Sequence, residues 1–342
     1  MHSSQSAAIG SVLGAFIGDS LGSYIEFRKS ISPQLLEETL TMPGGGGFAV
    51  GQGQVTDDSE LAMCLARGLL AGRGRLDMDA IADNYCKWVS SNPFDIGFTT
   101  SCALMPLRDG RPTADVCIAA SIAGNGNSQS NGSLMRLTPL AVWAHRLNPA
   151  QAARAARIEA SMTHSNLTIH HANACYVLAI SHLINHPGDN NGAFASARNY
   201  ADTQGNDDIK GWFSFIDSGD CMPGTPTMGW AKIGFTHAFG HLKKGSGYVE
   251  AMRETLGIGG DTDTNAAIVG GLIGALVGVE GLPQDYRDKV TSYTYESKRG
   301  QRRPDFLNQT EIVQQVEELF AMAPATATFV IGREEQALEA AS

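Results

Sequence analysis

Two stretches of this chain concentrate oxygen ligands: Gly53-Gln54-Val55-Thr56-Asp57-Asp58-Ser59-Glu60 and Gly257-Ile258-Gly259-Gly260-Asp261-Thr262-Asp263-Thr264-Asn265. Each is a glycine turn running into an apolar helical pattern, and each sets carboxylates and hydroxyls at the helix start. Hard divalent cations take such oxygens. Read singly, the first cluster is also a helix cap, with Asp57 as N-cap and Glu60 completing a capping box. Two such clusters about 200 residues apart change that balance. Gathered carboxylates repel unless a cation compensates them, and the tertiary fold can bring distant clusters to one site. The second cluster opens like an EF-hand loop, but Ala266 stands where that loop needs glycine and Leu272 where it needs glutamate, which excludes an EF-hand. With no cysteine among the ligands, the set suits magnesium or manganese better than zinc.

The elements that would carry these clusters are helices. Apolar residues recur at helical spacing over 7–23, 60–71, 78–89, 114–122, 134–145, 150–160, 169–184, 228–241, 248–256, 266–279 and 311–321. Strand-length alternation is nearly absent, so the expected class is all-α. The most apolar run, 266–279, is shorter than the roughly 20 residues a membrane-spanning helix needs, and its glycines and alanines permit close approach of another helix. No stretch reads as a linker. Residues 1–325 are expected to form a single domain, and the alanine-rich, charged 326–342 a flexible tail. The chain of 342 residues is 43 % hydrophobic and 18 % charged, a globular composition. Its formal charge of -10 disfavours nucleic acid and anionic membranes. The six cysteines form no C-x-x-C pair and Met1-His2-Ser3-Ser4 opens no secretory leader, so a reduced, cytoplasmic protein is expected.

Other polar residues are weaker candidates. His237 and His241 are four apart on one helical face, but no His-Glu-x-x-His motif accompanies them; they, His170, His171 and His182 are read as structural or surface residues. Gly44–Gly47 lacks a P-loop ending and is read as a mobile rim near the first acidic cluster. Asn131, Gly132 and Ser133 could offer backbone N–H groups to a pyrophosphate at the start of the 134–145 helix, or form a plain loop with a serine cap.

In order along the chain stand Gly14-Ala15-Phe16-Ile17-Gly18-Asp19-Ser20-Leu21-Gly22 followed by Glu26, Thr56-Asp57-Asp58, and Asp95-Ile96-Gly97 with Thr99-Thr100. Asn131-Gly132-Ser133-Leu134-Met135-Arg136, Thr163-His164 and Gly259-Gly260-Asp261-Thr262-Asp263-Thr264-Asn265 follow. In this set and order the chain resembles the ADP-ribosylglycohydrolase family over nearly its whole length. The resemblance implies a compact, multi-helix orthogonal bundle around a central dinuclear cleft. Two magnesium ions, with manganese as a substitute, would be ligated by Thr56, Asp57, Asp58, Asp261, Asp263 and Thr264. It also places Glu26, Asp95 and His164 around the substrate. Without it, Glu26 reads as a solvated carboxylate, Asp95 as an N-cap of the helix carrying Thr99, and His164 as a loop histidine.

The expected reaction is hydrolysis at C1″ of the distal ribose through an oxocarbenium-like state, with the metals binding the ribose diol and activating water. Glu26, Asp58 and Asp95 are the candidate general acids or bases, and the sequence does not rank them. The motifs around Glu26, Asp95 and Ser133 look more like the branch acting on dinitrogen reductase than the serine-specific branch, so the expected acceptor is arginine on an ADP-ribosylated protein. Hydrolysis of serine-linked or O-acetyl-ADP-ribose is the alternative. Two settings stay open: regulatory control, or immunity in which a toxin is a further partner. A phosphoester hydrolase and a non-catalytic ADP-ribose-binding protein are the rival readings.

Overall fold

The computed structural model describes residues 2–110, 112–333 and 336. Seventeen α-helices account for most of them, with one two-stranded parallel pairing, Arg75–Asp77 against Thr328–Val330. The all-α class expected from the sequence is what the chain adopts. Every helical pattern read from the sequence corresponds to a helix, with shifted ends. The clearest shift is at 134–145, where the helix is Thr138–Ala144: Pro139 in its first turn sets the start, and residues 134–137 form turns before it. Of the expected tail, Thr328–Val330 pairs as described and the Phe329 ring lies under Arg154 at 4.1 Å, while residues 334, 335 and 337–342 lie outside the described residues.

The centre of the molecule is an antiparallel pair of buried helices, Ser4–Gly22 and Thr262–Val277. Their backbones touch. Gly10, Gly14, Gly18 and Gly22 recur every four residues and so line one face. A methyl group built on Gly18 would stand 2.1 Å from the Ala266 carbonyl oxygen, and one on Gly14 would stand 2.4 Å from the Gly270 carbonyl oxygen. Side chains pin the pair from outside: Tyr248 Oη donates to the Gly14 carbonyl at 2.6 Å and Tyr176 Oη to the Ile268 carbonyl at 2.7 Å. The result brings the C-terminal end of the first helix to the N-terminal end of the second, and so the Glu26 turn to the second acidic cluster. The remaining helices pack their apolar faces around this pair, with Trp88, Trp143, Tyr85 and Phe235 fully buried.

Candidate functional site

The first acidic cluster begins the helix Asp57–Ala71, and it is not a capping box. The N-cap is Thr56, no side chain bonds the cap, and Asp57 is already inside the helix. Glu60 turns instead toward Arg303, accepting at 2.7 and 2.9 Å, and toward Trp88 Nε1 at 2.8 Å. Through Ser91 Oγ at 2.8 Å, Arg303 also holds the loop that carries Asp95. Nor does Asp261, the N-cap of Thr262–Val277, make a side-chain cap bond. Asp95 likewise caps nothing, because the following helix Phe98–Leu104 has Gly97 at its N-cap. Carboxylates at these starts are therefore left for another use.

The fold brings the clusters together. Phe27 N–H donates to the Gly260 carbonyl and Gly260 N–H to the Arg28 carbonyl, both at 2.8 Å, which stitches the Glu26 turn to the second glycine motif. Only glycine fits at 260: its φ is +81°, and a Cβ there would meet the Gly224 carbonyl oxygen at 2.1 Å. One oxygen from each of Glu26, Asp95 and Asp263 lies within 4.8 Å of the others. Asp57 is within hydrogen-bonding reach of Asp95, and Thr56 Oγ1 stands 3.1 Å from Asp58 Oδ2. Asn131 Nδ2 donates to Asp261 Oδ2 at 2.8 Å, and Thr264 N–H to Asp263 Oδ1 at 2.8 Å.

No protein donor reaches the buried oxygens Glu26 Oε2, Asp58 Oδ1 and Asp263 Oδ2. Burial, reinforced by repulsion from Asp95 and Asp261, pushes the Glu26 carboxyl up to about 9. Burial pushes Asp95 up to about 6, and it holds Asp57, Asp58 and Asp263 well above the ordinary carboxylate range, with mutual repulsion adding to it. Buried like charges with unsatisfied oxygens are costly in isolation and are offset by a hard cation. The residues present thus fit hard divalent cations.

One member was not singled out from sequence. Asp19, buried within the first helix, accepts from Thr56 N at 3.0 Å, Thr56 Oγ1 at 2.9 Å, Ser59 N at 3.2 Å and Ser59 Oγ at 2.5 Å. It clamps the turn that presents Asp57 and Asp58. Its lone carboxylate inside an apolar helix was the available signal.

The 131–133 loop divides. Asn131 faces the acidic cluster through Asp261, while its own N–H donates to the Gly229 carbonyl at 3.0 Å. Ser133 is fully buried and accepts from Asn173 at 2.8 Å. The Gly132 carbonyl accepts from Arg136, which is itself buried against Glu159 at 2.7 Å. His164 stands behind the loop: it is fully buried, and its ring nitrogens lie 2.8 Å from Thr163 Oγ1 and 2.8 Å from Ser130 Oγ. Burial depresses its basicity, which keeps the ring neutral. Because the following helix starts at Thr138, this loop does not open a helix as the sequence suggested. His170, His171, His182, His237 and His241 are all engaged with backbone or side-chain partners.

A family model described as ADP-ribosylglycohydrolase matches residues 1–325. The chain is 26 % identical over 318 residues to the ADP-ribosyl-[dinitrogen reductase] glycohydrolase of Rhodospirillum rubrum, covering 92 % of this chain and 96 % of that one. It is 30 % identical over 307 residues to the ADP-ribosylarginine hydrolase Tri1 of Pseudomonas putida (strain GB-1), covering 83 % and 74 %. A solved structure described as an ADP-ribosylglycohydrolase-related protein complex shares the fold, with a TM-score of 0.73 at 23 % identity, covering 95 % of this chain and all of the other.

Proposed function

The chain belongs to the ADP-ribosylglycohydrolase family, and from that premise we propose that it hydrolyses the N-glycosidic bond between ADP-ribose and an arginine side chain of a modified protein. The observation that carries the reading is the convergence of Glu26, Asp95 and Asp263 on one partly open site, with Asp57 of the first cluster within hydrogen-bonding reach of Asp95. Thr56, Asp57, Asp58, Asp261, Asp263 and Thr264 would hold two magnesium ions, or manganese in their place. When bound, these would supply Lewis-acid charge at the distal ribose diol and a more acidic water.

The chain's own part is positioning and proton transfer. Asp19 holds the first cluster through Thr56 and Ser59, and Asn131 the second through Asp261. Asp58 is 1 % exposed, whereas Glu26 and Asp95 are half-buried at the edge of the cluster, so the proposal assigns metal ligation to Asp58 and proton transfer to Glu26 and Asp95. As the C1″–N bond breaks, one of these carboxyls gives a proton to the departing guanidine nitrogen; a carboxylate takes one from the attacking water. The arginine acceptor draws support from the name of the Pseudomonas putida relative, and a modified protein as substrate from that of the Rhodospirillum rubrum relative. Among the described residues no helix is long and apolar enough to cross a membrane. Glu26→Gln and Asp95→Asn, assayed for ADP-ribose release from an arginine-modified protein, test the assignment: each variant should lose turnover while keeping magnesium binding. Turnover at the wild-type rate in both variants would move proton transfer elsewhere.

A further inference from the structure

Beside the acidic cluster runs an aromatic arc to which the proposed chemistry gives no role. Phe27 follows Glu26, Phe94 precedes Asp95, and Phe48 of the glycine-rich loop stands between them. The Phe27 and Phe48 rings meet edge to face with centroids 6.4 Å apart, and Phe48 and Phe94 are 5.8 Å apart. Since Glu26 and Asp95 converge on Asp263, the arc begins at the residue that follows one site carboxylate and ends at the residue that precedes another. Phe27 is 56 % exposed and has a φ of +62°. A bulky side chain at positive φ is a strained arrangement, and burial does not explain it. Phe48 is set by its loop, where Gly45 N–H and Val50 N–H donate to each other's carbonyls at 2.7 and 2.9 Å.

We propose that Phe27 and Phe48 form the acceptor subsite: their rings receive the guanidinium of the ADP-ribosylated arginine beside Glu26 and Asp95, whichever of the two is ionised supplying the opposing charge. This rests on the arginine-hydrolase reading. A guanidinium is a planar cation that stacks on aromatic faces, and an uncharged serine linkage has nothing to gain there. Within the arc itself one such contact is already made, with the Arg303 guanidinium 5.8 Å from the Phe94 ring. Arg303 is held there by Glu60, which leaves Phe27 and Phe48 for the substrate. Adenine also stacks on aromatic rings, but Glu26 and Asp95 are the groups proposed to act on the leaving guanidine nitrogen, and rings next to them in sequence are placed for that side of the scissile bond rather than for the nucleotide end.

The test compares wild type, Phe27→Leu, Phe48→Leu and Phe27→Trp on an arginine-ADP-ribosylated peptide, with magnesium, and measures free ADP-ribose binding by calorimetry. Leucine keeps apolar bulk and removes the ring. Both leucine variants should lose about fivefold or more in kcat/KM, mainly through KM, while tryptophan retains wild-type turnover and ADP-ribose binds every variant alike. Leucine variants that match wild type would overturn the proposal. A parallel loss of ADP-ribose affinity would also overturn it, by assigning the rings to the nucleotide. A wild type that releases no ADP-ribose from the peptide would remove the arginine reading and the subsite together; release by wild type with unchanged variants would remove the subsite alone.

Discussion

Asp19 accepts four hydrogen bonds from Thr56 and Ser59, so a residue outside the expected ligand set fixes where Asp57 and Asp58 stand. Asp19→Ala should weaken magnesium binding and lower kcat/KM by about tenfold or more, the usual cost of removing a partner that orients a ligand. Activity titrated against magnesium reads this, and an unchanged magnesium requirement would contradict the positioning role. Asp263 makes a complementary case. Its carboxylate is buried among Glu26, Asp58, Asp261 and Asp95, which repel it. Asp263→Asn should therefore raise the melting temperature in excess chelator while reducing turnover by about 100-fold or more. A lower melting temperature in chelator would show that the carboxylate stabilises the fold on its own. At this scale much was legible in the sequence: a glycine turn, paired acids and an apolar run occur together at both clusters. The partners of single residues were not legible, because Asp19 meets Thr56 only when the first helix lies beside that turn.

The helix pair Ser4–Gly22 and Thr262–Val277 depends on small residues facing one another. Gly18→Ala places a methyl group 2.1 Å from the Ala266 carbonyl oxygen and should cost about 1–3 kcal/mol in urea denaturation. Gly211 lies in the helix Asp207–Ser218 with nothing within 4 Å of a built Cβ. There the same change should stabilise by about 0.5–1 kcal/mol, because alanine loses less backbone freedom on folding. Equal effects at the two positions would refute close approach as the reason for the first. The sequence announced the buried Thr262–Val277 helix through its composition, but not that its partner is the first helix in this register. Two further helices were not read from the sequence. Asn190–Gln204 buries only Ala193, Ala197 and Ala201, a stripe too small to read as an apolar face, whereas Asp207–Ser218 carries Ile209, Trp212, Phe213 and Ile216 at intact helical spacing, a signal that was legible over a short span.

Across the whole molecule, the acidic cluster ties stability to pH and to metal. Without metal, the Asp19, Glu26 and Asp95 carboxyls are raised to about 7, about 9 and about 6 from values of 3.8, 4.5 and 3.8. Between those limits the folded chain binds more protons than the unfolded one, so its stability falls as pH rises from about 4 to about 9. In chelator the melting temperature should be higher at about pH 5 than at about pH 8, and magnesium should raise it more at the higher pH. A pH-independent magnesium effect would contradict this. The excess of acidic residues expected to repel polyanions is part of the same picture, since the site concentrates negative charge that bound metal offsets. The central claim is most directly tested by release of free ADP-ribose from an arginine-ADP-ribosylated protein, measured with magnesium, with excess chelator, and with Asp57→Ala and Asp263→Ala. The account predicts release with magnesium and its loss in chelator and in both variants. Release that persists in chelator, or cleavage of serine-linked substrate alone, would contradict it.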